Sequence, residues 1–96
     1  MDQKFEGTPQ AELRLDGRTV IRSEVTNDWG SRLQWKVSRN GQVLGTPAAR
    51  MEASYQHADQ TPGAYEVILE MWKYDGYKSG CFGQYVEISN KVSYQI

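Results

Sequence analysis

The sequence predicts an all-β fold, a sandwich of about seven short antiparallel strands. Three observations carry that expectation. No apolar pattern with helical spacing extends over as many as about 10 residues. Short segments that alternate polar and apolar residues recur along the whole chain. Turn chemistry separates them at intervals of roughly 8–12 residues, the rhythm of a two-sheet β domain.

Taken in order, residues 1–10 are polar, hold Gly7 and Pro9, and read as a loose entry segment, leaving 11–96 as the single domain. Glu12-Leu13-Arg14-Leu15 alternates and predicts a first strand, closed by the hairpin signal Asp16-Gly17. Thr19–Val25 predicts a second strand, with Ile21, Ser23 and Val25 as its core face and Val20, Arg22 and Glu24 opposite. Asn27-Asp28-Trp29-Gly30-Ser31 is a turn carrying a tryptophan. Leu33, Trp35 and Val37 point inward from the next strand, and Asn40-Gly41 is the strongest hairpin signal in the chain, returning through Gln42–Leu44. A strand is expected near Met51–Tyr55, although Ala48–Ala53 also has helix propensity. After the Asp59–Gly63 turn, Ala64–Tyr74 is the longest strand, with Tyr65, Val67, Leu69 and Met71 on one face and Glu66, Ile68, Glu70 and Trp72 on the other. Asp75–Gly83 is a glycine-rich loop, and Tyr85–Ile96 closes the domain with Val86, Ile88, Val92, Tyr94 and Ile96 sharing a face.

Composition bounds the function. The chain has 96 residues, 39% hydrophobic and 24% charged, a globular balance that supports one core. With 11 basic against 12 acidic residues and net charge −1, it lacks the basic footprint of a nucleic-acid binder or a membrane-surface segment. The longest apolar run is Val67–Leu69, far below the roughly 18 residues of a membrane span. Cys81 is the sole cysteine, so no disulfide can form within the chain. Met1–Phe5 shows no signal-peptide apolar region, which fits either a cytoplasmic chain or a mature domain of an exported protein; the Val92–Ile96 strand favours the second, with an extracellular or cell-surface setting.

Three features align in sequence: Trp35 in mid-strand, Asp59-Gln60-Thr61-Pro62-Gly63-Ala64-Tyr65-Glu66-Val67 24 residues later, and Ser89-Asn90-Lys91-Val92 near the end. The first two resemble the immunoglobulin-like superfamily, in which a core tryptophan faces a D-x-G-x-Y-x-C segment. Thr61–Val67 also resembles the "pG-x-Y-x-V" of PKD domains, and Ser89-Asn90 is similar to the start of the last strand in fibronectin type III domains. The resemblance implies a disulfide-free immunoglobulin-like sandwich in which Tyr65 is the corner tyrosine, its hydroxyl bonded to backbone upstream. It also implies that Val67 stands where the second family cysteine would be, with Ile21 or Ser23 at the first. Trp35 is followed by Lys36-Val37-Ser38-Arg39-Asn40-Gly41 rather than a PKD W-x-F-G-D-G motif.

Catalytic chemistry finds little to build on. His57 is the sole histidine, no serine sits in a G-x-S-x-G elbow, and a surface-turn role is expected for it. One cysteine and one histidine fall short of a zinc site, and Asp16, Asp28 and Asp75 lack calcium-loop spacing. Glu66 and Glu70 share an outward face and are expected as solvent-face glutamates, paired with cations such as Lys36 across strands. Gly76–Gly83 lacks the order of a phosphate cradle, and Cys81, with Lys78 nearby and glycines on either side, reads as an inert thiol under that loop, with a reactive thiol or an intermolecular link as the alternative. No catalytic residue, metal or cofactor is expected.

The feature above background is aromatic: Trp72, Tyr74, Tyr77, Phe82 and Tyr85 crowd residues 72–85, and Trp29 belongs to a loop expected at the same end. Tyrosine and tryptophan beside glycine give large, adaptable contact area, and such rings anchor protein partners or stack on sugars. The expectation is therefore a non-catalytic binding or adhesion module of a larger surface protein, with Trp29, Trp72, Tyr74, Tyr77, Phe82 and Tyr85 as ligand-binding candidates and Trp35, Tyr65, Val67, Leu69 and Ile21 as core. Its partner would be a protein or a carbohydrate. A structural spacer without a ligand and a carbohydrate-binding module are the alternatives. The chain is expected as a monomer or a weak edge-strand dimer, without nucleic-acid binding or membrane insertion.

Overall fold

Asn40 and Gly41 adopt φ of 51° and 85°, left-handed values that match the twist of a two-residue hairpin and that asparagine and glycine tolerate best. This turn joins two of the eight strands found among the residues the computed structural model describes, 8–74 and 83–96. The strands are β1 (Leu13–Asp16), β2 (Thr19–Arg22), β3 (Leu33–Arg39), β4 (Gln42–Gly45), β5 (Ser54–Gln56), β6 (Ala64–Tyr74), β7 (Gly83–Glu87) and β8 (Val92–Gln95). No helix occurs among the described residues, and every strand pair is antiparallel.

Two sheets result: a three-stranded one ordered β1-β2-β5, and a five-stranded one ordered β4-β3-β6-β7 with β8 also on β6. Their inward side chains meet in one cluster that includes Leu13 and Val20 from the small sheet and Leu33, Trp35, Val37, Val67, Leu69 and Met71 from the large one. Trp35 is 1% exposed and lies 6.2 Å from the Tyr55 ring of the opposite sheet, spanning the core. Tyr65, Val67 and Leu69 are fully buried, as expected of them. The strict inward-outward alternation of β3 and β6 follows from the period-two geometry of strands with one face on the core.

Several local expectations are corrected. Val20, rather than Ile21, is the fully buried residue of β2, while Ile21 is half-exposed. The polar neighbour Arg22 shares the Val20 face without penalty because it sits at the sheet rim. Its guanidinium donates to the carbonyls of Glu52, Ser23, Ala49 and Arg50, so no buried donor is left unmet. The strand expected near Met51–Tyr55 begins only at Ser54, and Met51 is 90% exposed. The cause lies upstream. Trp35 N–H donates to the Pro47 carbonyl and Ala49 N–H to the Leu33 carbonyl, which holds residues 47–49 against β3 and uses up the chain that would have extended β5.

The expected closing strand is two strands on the same side of β6, with β7 paired to Glu70–Tyr74 and β8 to Ala64–Val67. Between them Ser89 Oγ accepts the Leu69 N–H that a straight strand would have bonded through its backbone. Ile88 carbonyl accepts from Ala11 N–H, and the Asn90 side chain both accepts from Leu13 N–H and donates to the Leu13 carbonyl. The interruption is thus where the last strands are tied to the first.

A candidate binding face

The register places three residues in a row across the outer face of the large sheet. Trp72 pairs with Tyr85 of β7, and its N–H bonds the carbonyl of Arg32, the residue just before β3. The Arg32 guanidinium carbon lies 5.7 Å from the Trp72 ring centre, a cation–π distance. The Tyr85 ring meets Trp72 edge-on, with centroids 5.1 Å apart and planes at 73°, the arrangement ring quadrupoles favour. Both aromatic rings are half-buried and Arg32 is exposed.

Gly83 explains how the indole lies down on the sheet. A Cβ built there would sit 2.1 Å from the Lys73 carbonyl oxygen and 3.1 Å from Trp72 Cε2, and its φ of 155° disfavours other residues. Only glycine lets β7 begin this close to β6 and to the Trp72 ring.

One step along the strands, Gln34, Glu70 and Glu87 form the next row. Glu70, expected on a solvent face, is only 7% exposed. It lies mid-sheet, flanked by β3 and β7 on both sides, so its neighbours cover it. Gln34 Nε2 donates to Glu70 Oε1 at 2.9 Å, and Lys36 Nζ stands 3.8 Å from Oε2, the cross-strand pairing the sequence suggested. Glu66 is on the same face, 3.6 Å from Lys91 Nζ. Glu87 is exposed, directly opposite Glu70, and has no cation within ion-pair distance among the described residues.

The remaining candidates fall elsewhere. Trp29 is 4% exposed and belongs to the core cluster, so it is corrected from a binding anchor to a core residue. Its loop is closed over it: Asp28 accepts two bonds from the Arg50 guanidinium, which also donates to the Ser31 carbonyl, and Gly30 N–H bonds Asp28 Oδ1. The Arg50 bonds hold the Asp28 carboxyl below its ordinary pKa, partial burial opposing them. Tyr77, Phe82 and Cys81 lie outside the described residues, and of Tyr74 only its strand position in β6 is described.

His57 is also corrected. It is 5% exposed, not a surface-turn residue. Its ring packs edge-on against Tyr65 and Tyr94, with centroids at 4.4 and 5.0 Å, and Nδ1 shares a 2.9 Å hydrogen bond with the Tyr94 hydroxyl. Nε2 is buried without a hydrogen-bond partner among the described residues. The Tyr65 and Tyr94 rings stack at 5.5 Å, and the Tyr65 hydroxyl donates to the Thr61 carbonyl at 2.6 Å. Nothing local in the sequence announces this cluster beyond the turn before Tyr65, because it assembles residues from β6, β8 and the link after β5. Burial, with Tyr55 and Tyr65 nearby, pushes the Tyr94 hydroxyl up to about 12.

A groove of about 560 Å³ follows the seam between residues 8–12, 23–26 and 87–90. Its polar side chains are partly spent on the seam itself: Ser23 Oγ accepts from Glu12 N–H, and Asn90 holds Leu13. Among the described residues no three His, Cys, Asp or Glu side chains gather in a way that would hold a metal ion. No protein-family model matches the chain, and neither does any curated protein or solved structure.

Proposed function

We propose that this chain is an immunoglobulin-like β-sandwich that works as a non-catalytic binding or adhesion module, with Trp72 and Tyr85 as its recognition residues. The observation that carries the reading is the Trp72–Tyr85 pair, two large rings held half-open on the outer side of a sheet whose inner side already contains a complete core. Rings of this kind are the usual anchors of protein interfaces. The fold part of the reading is supported by the strand orders β1-β2-β5 and β4-β3-β6-β7, by Trp35 in the core, and by the Tyr65 hydroxyl bonded four residues back to Thr61. On this reading β7 and β8 are two parts of one last strand.

A protein partner fits better than a sugar. A pyranose stacks on a free ring face, but the Trp72 indole rests against Gly83 and has the Arg32 guanidinium over it. The experiment is titration calorimetry of the whole chain and of Trp72→Ala with a panel of soluble polysaccharides and with peptides selected from a displayed library. The expected result is peptide binding that falls at least about tenfold in the variant, roughly the 1.4 kcal/mol of a modest anchor, with no response to polysaccharides. Absence of any Trp72-dependent binding overturns the reading and leaves the spacer role.

A further inference from the structure

We propose that the partner of this face is a second copy of the chain, packed sheet to sheet about a two-fold axis running along β6. This rests on the assignment of Trp72 and Tyr85 as recognition residues. Charge arrangement selects the occupant. On the outer face the β3 side carries the cations Arg32 and Lys36, and the β7 side carries Glu87, with Ile68 and Trp72 of β6 between them. Arg32 and Glu87 lie two strands and one row apart in a single chain, about 10 Å across and about 7 Å along the strands. Neither has an ion-pair partner among the described residues.

A two-fold axis along β6 preserves height along the strands and exchanges left for right. It lays the β3 column of one copy over the β7 column of the other. Arg32 then faces Tyr85 of the second copy, Gln34 faces Glu87 of the second copy, and Lys36 lies one row beyond. The second copy's Glu87 comes to rest between Arg32, which has no ion-pair partner among the described residues, and Lys36, which it would share with Glu70, and the contact is made twice by symmetry. Trp72 and Ile68 fall on the axis and meet their own equivalents. Glu70 and Glu66 also fall there, but Lys36 and Lys91 already offset their charge. An axis across the strands would instead stack Arg32 and Lys36 on themselves, so like-charge repulsion rejects it. The face is about four strands wide, roughly 15–20 Å, which places the dimer in the small, weakly associating class.

The test is sedimentation equilibrium and amide-resonance dilution of the whole chain from about 10 μM to about 1 mM, a range suited to small interfaces. Self-association is expected, with shifts confined to residues 32–36, 68–72 and 85–87. Glu87→Arg and Arg32→Glu should each weaken it at least about tenfold, and the double reversal should recover at least about threefold over Glu87→Arg alone, short of full restoration because Lys36 still faces position 87. Both positions are exposed, so the variants keep the fold. A monomer throughout the range, shifts mapping to the β4 edge, or a double reversal that restores nothing overturns the dimer. Trp72-dependent peptide binding by a chain that stays monomeric would sink the dimer and leave the binding module standing. A dimer sensitive to both charge reversals but indifferent to Trp72→Ala would keep the dimer and remove the aromatic reading.

Discussion

Two aromatic clusters occupy this small domain, and they differ in what holds them. Tyr65, His57 and Tyr94 form one, closed by burial, by ring contacts on two sides of the imidazole and by hydroxyl bonds to Thr61 and His57. Arg32, Trp72 and Tyr85 form the other, joined by one edge-on ring pair and one cation–π contact, with no polar bond fixing the rings among the described residues. The first joins β6 to β8 and to the end of β5, so it is architecture. The second lies within one sheet and connects nothing that the backbone ladder does not already connect. That contrast supports the proposal of a partner for the second pair of rings, which stand on an open face and contribute little to architecture.

The widest separation between inner and outer rings is expected from their tryptophans. Trp35→Ala removes a 1%-exposed ring from the middle of the core and should cost roughly 3–5 kcal/mol by urea unfolding. Trp72→Ala removes a half-buried ring and its two contacts, and should cost about 1–2 kcal/mol. Equal losses would mean that Trp72 is as structural as Trp35, and the division between the two faces would fail.

Gly83→Ala comes next. The added methyl would meet the Lys73 carbonyl and the Trp72 ring, at a φ that alanine rarely adopts, so a destabilisation of about 1–3 kcal/mol is expected. Part of the adjustment should be a displaced indole, read as a changed Trp72 emission in a protein whose other tryptophans are buried. An unchanged spectrum together with an unchanged unfolding midpoint would show that the close approach of β7 does not position Trp72.

Period-two alternation made much of this legible in advance. It located β3 and β6 nearly to the residue, and the Asn40-Gly41 turn between β3 and β4, because both strands bury one face and leave the other wet. The misreadings share a physical cause: contacts made from outside the local window. Val20 outranks Ile21 because carbonyls some 30 residues away, at Ala49, Arg50 and Glu52, satisfy Arg22. Trp29 looked like an exposed loop anchor because nothing nearby in sequence announces that Arg50 clamps its loop shut. Glu70 looked solvent-facing because alternation reports a face but not how fully a central strand is covered by its neighbours. The candidate face was half visible: Trp72 and Tyr85 stood out by composition, whereas the Arg32–Trp72 contact and the opposition of Glu70 to Glu87 depend on strand register, which pairs residues 15–40 positions apart.

The smallest expected effect concerns alkaline pH and belongs to the closed cluster alone. Tyr94 is held as the neutral phenol, its hydroxyl raised from 10.0 to about 12 chiefly by burial. A group with a raised folded-state pKa binds its proton more tightly in the native state than in the unfolded one. Stability from Tyr94 is therefore fully present below pH 10 and is lost as pH rises from there through about 12, because unfolding then releases a proton. Burial likewise raises Tyr55, with Asp59 and Tyr65 adding to it, so the two act in the same direction. Unfolding midpoints should fall above pH 10, and Tyr94→Phe should flatten that fall while lowering the midpoint modestly at neutral pH through loss of the bond to His57 Nδ1. Tyr85→Phe, on the open face, should leave both the midpoint and its alkaline slope within the small range of ordinary surface changes, about 0.5 kcal/mol. If Tyr85→Phe changed the slope as much as Tyr94→Phe, the outer ring would be as enclosed as the inner one, and it could no longer be assigned to recognition.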